Sequence, residues 1–155
     1  MRTQARRRGF TLIELLIVIA IIVVLISAAA PKFGAYLMSA RETAALGAVR
    51  TIHTAQIQFS SQYGRYAASL AELGPPATGG QTGPGAADLL SSDLATGIKG
   101  GYRFVVEGTQ TGYKVTAAPT VYNNTGRRSF YSDQTMVLRE SSTPEVATAA
   151  SPELK

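Results

Sequence analysis

Apolar residues follow three different patterns along this chain. In Phe10–Ala30 every residue is apolar or small except Thr11, Glu14 and Ser27. In Phe33–Tyr63 apolar residues instead recur at spacings of three, four and seven, which is typical of a helix with one buried face. In the last third of the chain, short alternating segments rich in Val and aromatic residues predict β-strands.

The uninterrupted apolar segment Phe10–Ala30 is long enough to cross a bilayer. At a rise of about 1.5 Å per residue, a helix of this length reaches about 31 Å, close to the thickness of the hydrocarbon core. Because positive charge before a span tends to stay in the cytoplasm, the sequence predicts a single span with a cytoplasmic N-terminus. The basic residues that precede the segment are Arg2, Arg6, Arg7 and Arg8.

The net charge of +5 comes mostly from these four arginines, which are among the 15 Lys and Arg residues of the chain. The remaining sequence is nearly balanced in charge, so we predict no specific nucleic-acid partner. The chain has no Cys, which excludes disulfides and thiolate metal sites, and its one His is His53. We predict no enzymatic activity, no metal site and no cofactor, and we expect His53 to be an ordinary surface or packed residue.

Glu14 is an ionisable residue inside the apolar segment, where a charge costs up to about 3 kcal/mol near the middle of a bilayer. The segment contains no Lys or Arg, so the same helix supplies no cationic partner. Cleavage between Gly9 and Phe10 creates a cation, because it frees the α-amino group of Phe10. If a neighbour that is shifted outward by one turn or more brings its own amine level with this Glu14, the contact is head-to-tail and builds an open filament.

The stretch RRRGFTLIELLIVIAIIVVL, residues 6–25, resembles the N-terminus of type IV prepilins and of the pseudopilins of type II secretion. In that family a short basic leader ends in glycine, a membrane aspartyl peptidase cuts after this glycine, and the new N-terminal amine is methylated. The resemblance implies that Gly9 ends the leader and that Phe10 is the methylated first residue. It also implies that Glu14 directs assembly and that Pro31 kinks the helix.

The resemblance and the residue patterns together predict the α+β pilin fold. A long N-terminal helix has a membrane-spanning first half and an amphipathic second half, residues 31–63, which packs against a small antiparallel sheet of three to four strands. A Gly-rich connecting loop spans residues 64–100, the sheet lies within 101–140, and a flexible tail spans 141–155. The predicted buried stripe of the helix comprises Ala45, Val49, Ile52, Phe59 and Tyr63.

Local patterns after residue 63, in the part of the chain that we call the head, predict its smaller elements. Residues 101–108 and 113–119 alternate on either side of turn residues and predict a hairpin. Residues 129–140 predict one bent strand or two short strands. Short helical turns are predicted around residues 68–73 and 86–94. The C-terminal stretch TGRRSFYSDQTMVLR is similar to a signature of pilin-like proteins in which a glycine often replaces Thr135 or Met136.

Three functions remain open at this point. The first is a subunit of a type IV pilus-like filament, serving adhesion, motility or uptake, and the second is a type II secretion pseudopilin. The third is a monomeric extracytoplasmic binding domain on an uncleaved anchor. The first two imply as partners copies of the same chain in a helical homopolymer, the prepilin peptidase, the inner-membrane assembly machinery, and the lipid bilayer before assembly. They place the precursor in the inner membrane and the assembled filament in the periplasm or outside the cell.

Overall fold

A computed structural model describes residues 10–154 of the chain, and the side chains of residues 28–32 lie outside that description. The chain divides into two compact units, Met1–Tyr36 and Leu37–Lys155. The helices and strands are α1 Leu12–Tyr63, α2 Leu70–Leu73, α3 Ser92–Ala95, β1 Ile98–Lys99, β2 Tyr102–Gly108, β3 Tyr113–Pro119, β4 Ser129–Asp133 and β5 Arg139–Ser141.

The first unit contains the N-terminal part of α1, which begins at Leu12 rather than at the predicted Phe10. Three predicted features reach beyond the described residues: the leader 1–9, the end of the membrane segment 10–30, and the kink at Pro31. They stay predictions. Within residues 10–154, and leaving aside the side chains of 28–32, no helix combines the length and hydropathy that a membrane span requires.

The second unit is built around the predicted stripe on α1. Val49, Ile52 and Phe59 are completely buried, and Ala45 is nearly so. Tyr63 is half-buried, and its ring lies 4.7 Å from the ring of Phe59, centroid to centroid. The predicted amphipathic half of the helix is therefore confirmed, because the apolar positions that repeat with the helical period are those that the head covers.

The sheet of the second unit is antiparallel, with the strand order β1-β2-β3-β4-β5. The predicted hairpin is confirmed as β2 and β3, in which Phe104 pairs with Ala117 and Val106 with Val115. All four of these side chains are buried, since alternate residues of both strands face the helix. The predicted count of three to four strands is corrected to five, because residues 129–140 form two strands and β1 is an additional strand of two residues.

The Gly-rich segment between helix and sheet covers one side of the core. Its two short helices, α2 and α3, lie at or near the predicted helical turns. Their leucines supply the apolar surface that the glycines and threonines around them lack. The buried leucines of this segment are Leu70, Leu73, Leu90 and Leu94.

The C-terminal segment differs from the predicted flexible tail. Ser129 on β4 donates a hydrogen bond through Oγ to the carbonyl of Glu145 and accepts one from the N–H of Ala147, whose side chain is buried. Further along, the N–H of Leu154 donates to the carbonyl of Leu138. The low apolar content of residues 141–155 suggested a loose tail, but backbone groups of this segment form hydrogen bonds to the side chain of Ser129 on β4 and to the carbonyl of Leu138, just before β5.

Met136, in the turn between β4 and β5, has a φ angle of 61°, in the left-handed region. A side chain in this conformation costs about 1 kcal/mol or more, because its Cβ crowds the backbone. Residue 136 is one of the two positions at which pilin-like proteins with a similar C-terminal signature often carry glycine. Met136 is therefore strained in a backbone conformation that glycine adopts without strain.

Two glycine substitutions are expected to change stability in opposite directions. Gly47 lies within α1 with open space around it, so Gly47→Ala is expected to stabilise the chain by about 0.5–1 kcal/mol through helix propensity. A Cβ on Gly108 would lie 2.0 Å from the carbonyl oxygen of Ala67, so Gly108→Ala is expected to destabilise it by about 1–3 kcal/mol. Urea unfolding of the full-length variants in detergent micelles measures both. Equal effects of the same sign would contradict the packing described around Gly108.

Candidate functional site

The residues that the sequence singles out for processing and assembly lie at the start of α1. Phe10 precedes the helix and is 90% exposed, and Glu14 lies in the first helical turn. Gly9 and the side chain of Pro31 lie outside the described residues. The geometry of the candidate site therefore rests on the turn that contains Phe10 and Glu14.

Glu14 forms a reciprocal hydrogen-bonded turn with Thr11, the residue that precedes α1. The backbone N–H of Thr11 and its hydroxyl both donate to Oε2 of Glu14, at 2.8 and 2.7 Å. In return, the N–H of Glu14 donates to the hydroxyl oxygen of Thr11 at 3.3 Å. This arrangement is a capping box, which satisfies backbone donors that the first turn of a helix leaves without partners.

The capping box corrects one expectation about Glu14. The sequence contains no cation for it in the same helix, but the same turn supplies two neutral donors. Both hydrogen bonds end on Oε2, and among the described residues no donor reaches Oε1. One carboxylate oxygen thus starts the helix, and the other is available to a group from another molecule.

Thr11 is the site residue that the sequence interpretation missed. The signal was present as Thr-Leu-Ile-Glu at residues 11–14, which has the Thr-x-x-Glu spacing of a capping box before an apolar run. The apolar segment singles out Glu14 as an unpaired charge, whereas Thr11 and Glu14 together define the start of the helix.

The surface around this turn is apolar and has no cover within the described part of the chain. The large apolar residues between positions 10 and 26 are all at least 46% exposed. A contiguous apolar surface of this kind is characteristic of residues that contact lipid or another protein. Its members are Phe10, Leu12, Ile13, Leu15, Leu16, Ile17, Val18, Ile19, Ile21, Ile22, Val23, Val24, Leu25 and Ile26.

A second polar site joins α1 to the loop before β4. Oε1 of Glu42 accepts the N–H of Arg127 at 2.9 Å and that of Arg128 at 3.3 Å, and its Oε2 accepts Nε of Arg128 at 2.8 Å. The same guanidinium donates to Glu140 at 2.8 Å. Glu42 is 7% exposed and forms an ion pair with Arg128.

The pKa of Glu42 reflects two opposing influences. Burial desolvates the carboxylate and favours its protonated form, whereas the backbone N–H of Arg127 and the guanidinium of Arg128 favour the charged form. The hydrogen bonds and the positive charge prevail, and the pKa of Glu42 lies below its usual value. Glu42 is therefore a charged group that fastens the helix to the sheet.

The described residues contain no group of three or more His, Cys, Asp or Glu side chains placed to hold a metal ion. The polar clusters of the head are instead ion pairs and hydrogen bonds between its own elements.

Comparison with known proteins bears on the N-terminal turn. A family model described as the prokaryotic N-terminal methylation motif matches residues 4–30. A stretch of 73 residues is 40% identical to the Type IV major pilin protein PilA of Myxococcus xanthus (strain DK1622). The resemblance to the type IV pilin family is confirmed. The α+β architecture of this pilin-like chain, with one long helix and an antiparallel sheet, agrees with that resemblance.

The similarity covers part of each protein. The aligned stretch amounts to 47% of the pilin-like chain and 33% of the relative, so the chain matches about a third of the curated relative's length. No solved structure matches the chain significantly. The fold of the head is therefore argued from its own packing and strand topology.

Proposed function

We propose that the chain is a structural, non-catalytic subunit of a type IV pilus-like filament. In this proposal a prepilin peptidase cleaves between Gly9 and Phe10, the amine of Phe10 is methylated, and the chain polymerises through its N-terminal helix. The supporting observation is the methylation-motif match over residues 4–30, which includes both residues of that junction and Glu14. Because the relative is a major pilin, we favour a pilus over a type II secretion filament.

The chemistry of assembly in this proposal centres on Glu14. Cleavage converts the amide nitrogen of Phe10 into an ammonium group. Oε2 of Glu14 is engaged by Thr11, whereas Oε1 accepts no hydrogen bond from the described residues. The ammonium of a neighbouring subunit therefore has an oxygen to bind without opening the capping box. The pair neutralises two charges that would each be costly alone in apolar surroundings.

The driving force for polymerisation in this proposal is the exchange of lipid contact for contact between helices. Before assembly, the apolar surface of residues 10–26 lies in the inner membrane, with the leader in the cytoplasm. After assembly, the same surface packs against copies of itself, and the heads lie outside the membrane. Association through different surfaces on each subunit leaves an open end for the next subunit.

The N-terminal mass of native material tests the processing step. We expect the chain purified from its membrane to lack residues 1–9 and to begin at Phe10 with one added methyl group. The matched control is Gly9→Leu, which replaces the leader glycine and is expected to retain Met1. Native material that begins at Met1 would contradict the proposal and would favour a monomeric domain on an uncleaved anchor.

A further inference from the structure

An apolar groove lies within the second unit, between α1 and the start of the sheet, and has a volume of about 390 Å³. The buried residues along it are Ala45, Leu94 and Phe104, each 3% exposed. On α1 the groove is bordered by Ala44 and Ala48, whose side chains are too small to fill the space beside them. The groove is therefore an open apolar cleft of the size with which proteins receive a small group.

One end of this groove is positively charged. The groove follows α1 from Arg41 to Thr51, over about 15 Å at the helical rise. Lys99, in β1, lies at the Arg41 end, because the turn that follows it brings Gly101 close to Arg41. A Cβ on Gly101 would lie 3.7 Å from Cδ of Arg41. None of the described residues that line the groove is Asp or Glu, so the groove favours an occupant with an apolar group and a negative charge.

Neighbouring carboxylates leave this positive charge available. Asp93, on α3, borders a separate cleft with Lys99 but forms no ion pair with it. Glu42, next to Arg41 in the sequence, is buried and paired with Arg128. Within residues 10–154, leaving aside the side chains of 28–32, neither Arg41 nor Lys99 forms an ion pair. Both cations can therefore bind a carboxylate of another molecule.

The same chain presents a matching acidic and apolar pair, Glu145 and Val146. Val146 is 48% exposed, and Glu145 is exposed and has no ion pair in the part of the chain that the structure describes. Oγ of Ser129 donates to the carbonyl of Glu145 and accepts the N–H of Ala147, which is 1% exposed. Because the backbone on both sides of Val146 is held in this way, little conformational freedom is lost when its side chain is bound.

The groove and the Glu145–Val146 pair lie at different parts of the sheet, whose strand order is β1-β2-β3-β4-β5. The groove is bordered by Lys99 of β1 and Phe104 of β2, whereas the pair is held by Ser129 of β4. Because β3 lies between them, the fixed pair of one chain does not enter the groove of the same chain. A contact between these two surfaces joins different copies and leaves a groove and a pair free for the next copies.

We propose that the groove binds the Glu145–Val146 pair of a second copy of this chain. Val146 of one copy enters the groove of the other and leaves water, and the carboxylate of Glu145 binds Arg41 and Lys99. The proposal rests on the proposed function, because the filament brings the copies together. A contact of this size is too small to hold two free proteins, so it depends on the N-terminal helices to keep neighbouring copies close.

Disulfide cross-linking of filaments tests the contact, because the chain has no Cys of its own. The test variant carries Ala48→Cys in the groove and Val146→Cys in the pair, and it retains Arg41, Lys99 and Glu145. After oxidation of sheared filaments, we expect a ladder of covalent multimers on a non-reducing gel. Each single variant is expected to give no product larger than a dimer. The control is Ala48→Cys with Val105→Cys, which places the second thiol at an exposed apolar position of β2, and no ladder is expected from it.

The cross-linking outcomes separate this contact from the proposed function. Filaments that form without giving the ladder would overturn the contact alone. A wild type that forms no filaments would overturn the proposed function and the contact with it. If the thiol of Ala48→Cys in filaments were protected from a thiol reagent but gave no ladder with Val146→Cys, another molecule would occupy the groove and the proposal would be wrong.

Charge reversal tests the ionic part of the contact. Lys99→Glu and Glu145→Lys are each expected to lower the yield of sheared filaments about five- to tenfold, because like charges then face each other. The two substitutions together are expected to restore most of the yield. Glu107→Lys is the control, since it reverses an exposed carboxylate away from the groove, and a change of less than about twofold is expected. A double variant that stays as poor as the single variants would refute the pairing.

Discussion

Replacing Glu14 with Gln is expected to abolish incorporation into filaments while the chain stays in the membrane fraction. Glutamine fits the capping box as well as glutamate does, so the start of α1 is preserved. The negative charge is lost, so in the proposed filament the ammonium of the neighbouring subunit would be buried without a counter-charge. A penalty of about 3 kcal/mol corresponds to more than a hundredfold loss in the equilibrium for adding one subunit. Electron microscopy of sheared filaments and immunoblots of membrane fractions measure the two outcomes.

Thr11→Val is the matched control for Glu14→Gln. It removes the hydroxyl that donates to Oε2 and leaves the charge of Glu14 in place. Loss of a helix cap costs about 1 kcal/mol, so fewer filaments but still some are expected. If Thr11→Val abolished filaments as completely as Glu14→Gln, the start of the helix would be the essential feature. Normal filaments from Glu14→Gln would rule out the assembly role of the charge altogether.

Glu42→Ala is expected to lower the free energy of unfolding of the chain by about 2–3 kcal/mol. The substitution leaves the backbone N–H groups of Arg127 and Arg128 without their acceptor and removes one of two carboxylates from the guanidinium of Arg128. The expected effect is smaller than for a fully buried pair, because the side chain of Arg128 is 32% exposed and keeps Glu140. Urea unfolding of the full-length chain in detergent micelles measures it.

Glu107→Ala is the matched control, since Glu107 forms an ion pair of similar length, 2.9 Å, with Lys114. Both partners are exposed, so Glu107→Ala is expected to lower the free energy of unfolding by less than about 0.5 kcal/mol.

The pH dependence of stability further distinguishes Glu42 from Glu107. The lowered pKa of Glu42 means that its stabilisation is present above the unfolded value, about 4.5, and is lost as the pH falls through the lower folded value. Glu42→Ala is expected to lack this part of the acid transition, and equal losses from both variants would contradict the burial of Glu42.

The periodic parts of the fold could be predicted from sequence because burial repeats with the geometry of the backbone. The stripe on α1 and the alternation in β2 and β3 are such repeats. Glu42 and Gln56 lie in the same helical phase as the stripe, three residues before Ala45 and three before Phe59. Their polarity concealed their burial, because their partners are distant in sequence. Gln56 exchanges two hydrogen bonds with the backbone of Ala67, and Glu42 pairs with Arg128.

The candidate site was predicted in part for a related reason. The position of Glu14 in an apolar run revealed a charge that needs explanation, and its spacing from Thr11 was readable as a capping box. The hydrogen bonds of His53 could not be predicted from the sequence, because Tyr113 and Ser132 reach the ring only after the sheet has formed. The order of the C-terminal segment was not predicted, because hydrogen bonds of its backbone groups fix it and these do not depend on how many apolar residues the segment contains.

The outer side of β5 has a consequence for the proposed filament, in which many copies of the chain would pack together. The carbonyl of Pro152 accepts the N–H of Glu140, the N–H of Leu154 donates to Leu138, and Arg139 pairs with Glu153. The opposite margin of the sheet, β1, is only two residues long. An exposed strand margin is a template on which a second chain can add as a further strand, and this is a common route to amyloid-like aggregation. Because residues 152–154 occupy that margin, the heads of the proposed filament could pack closely without their sheets fusing.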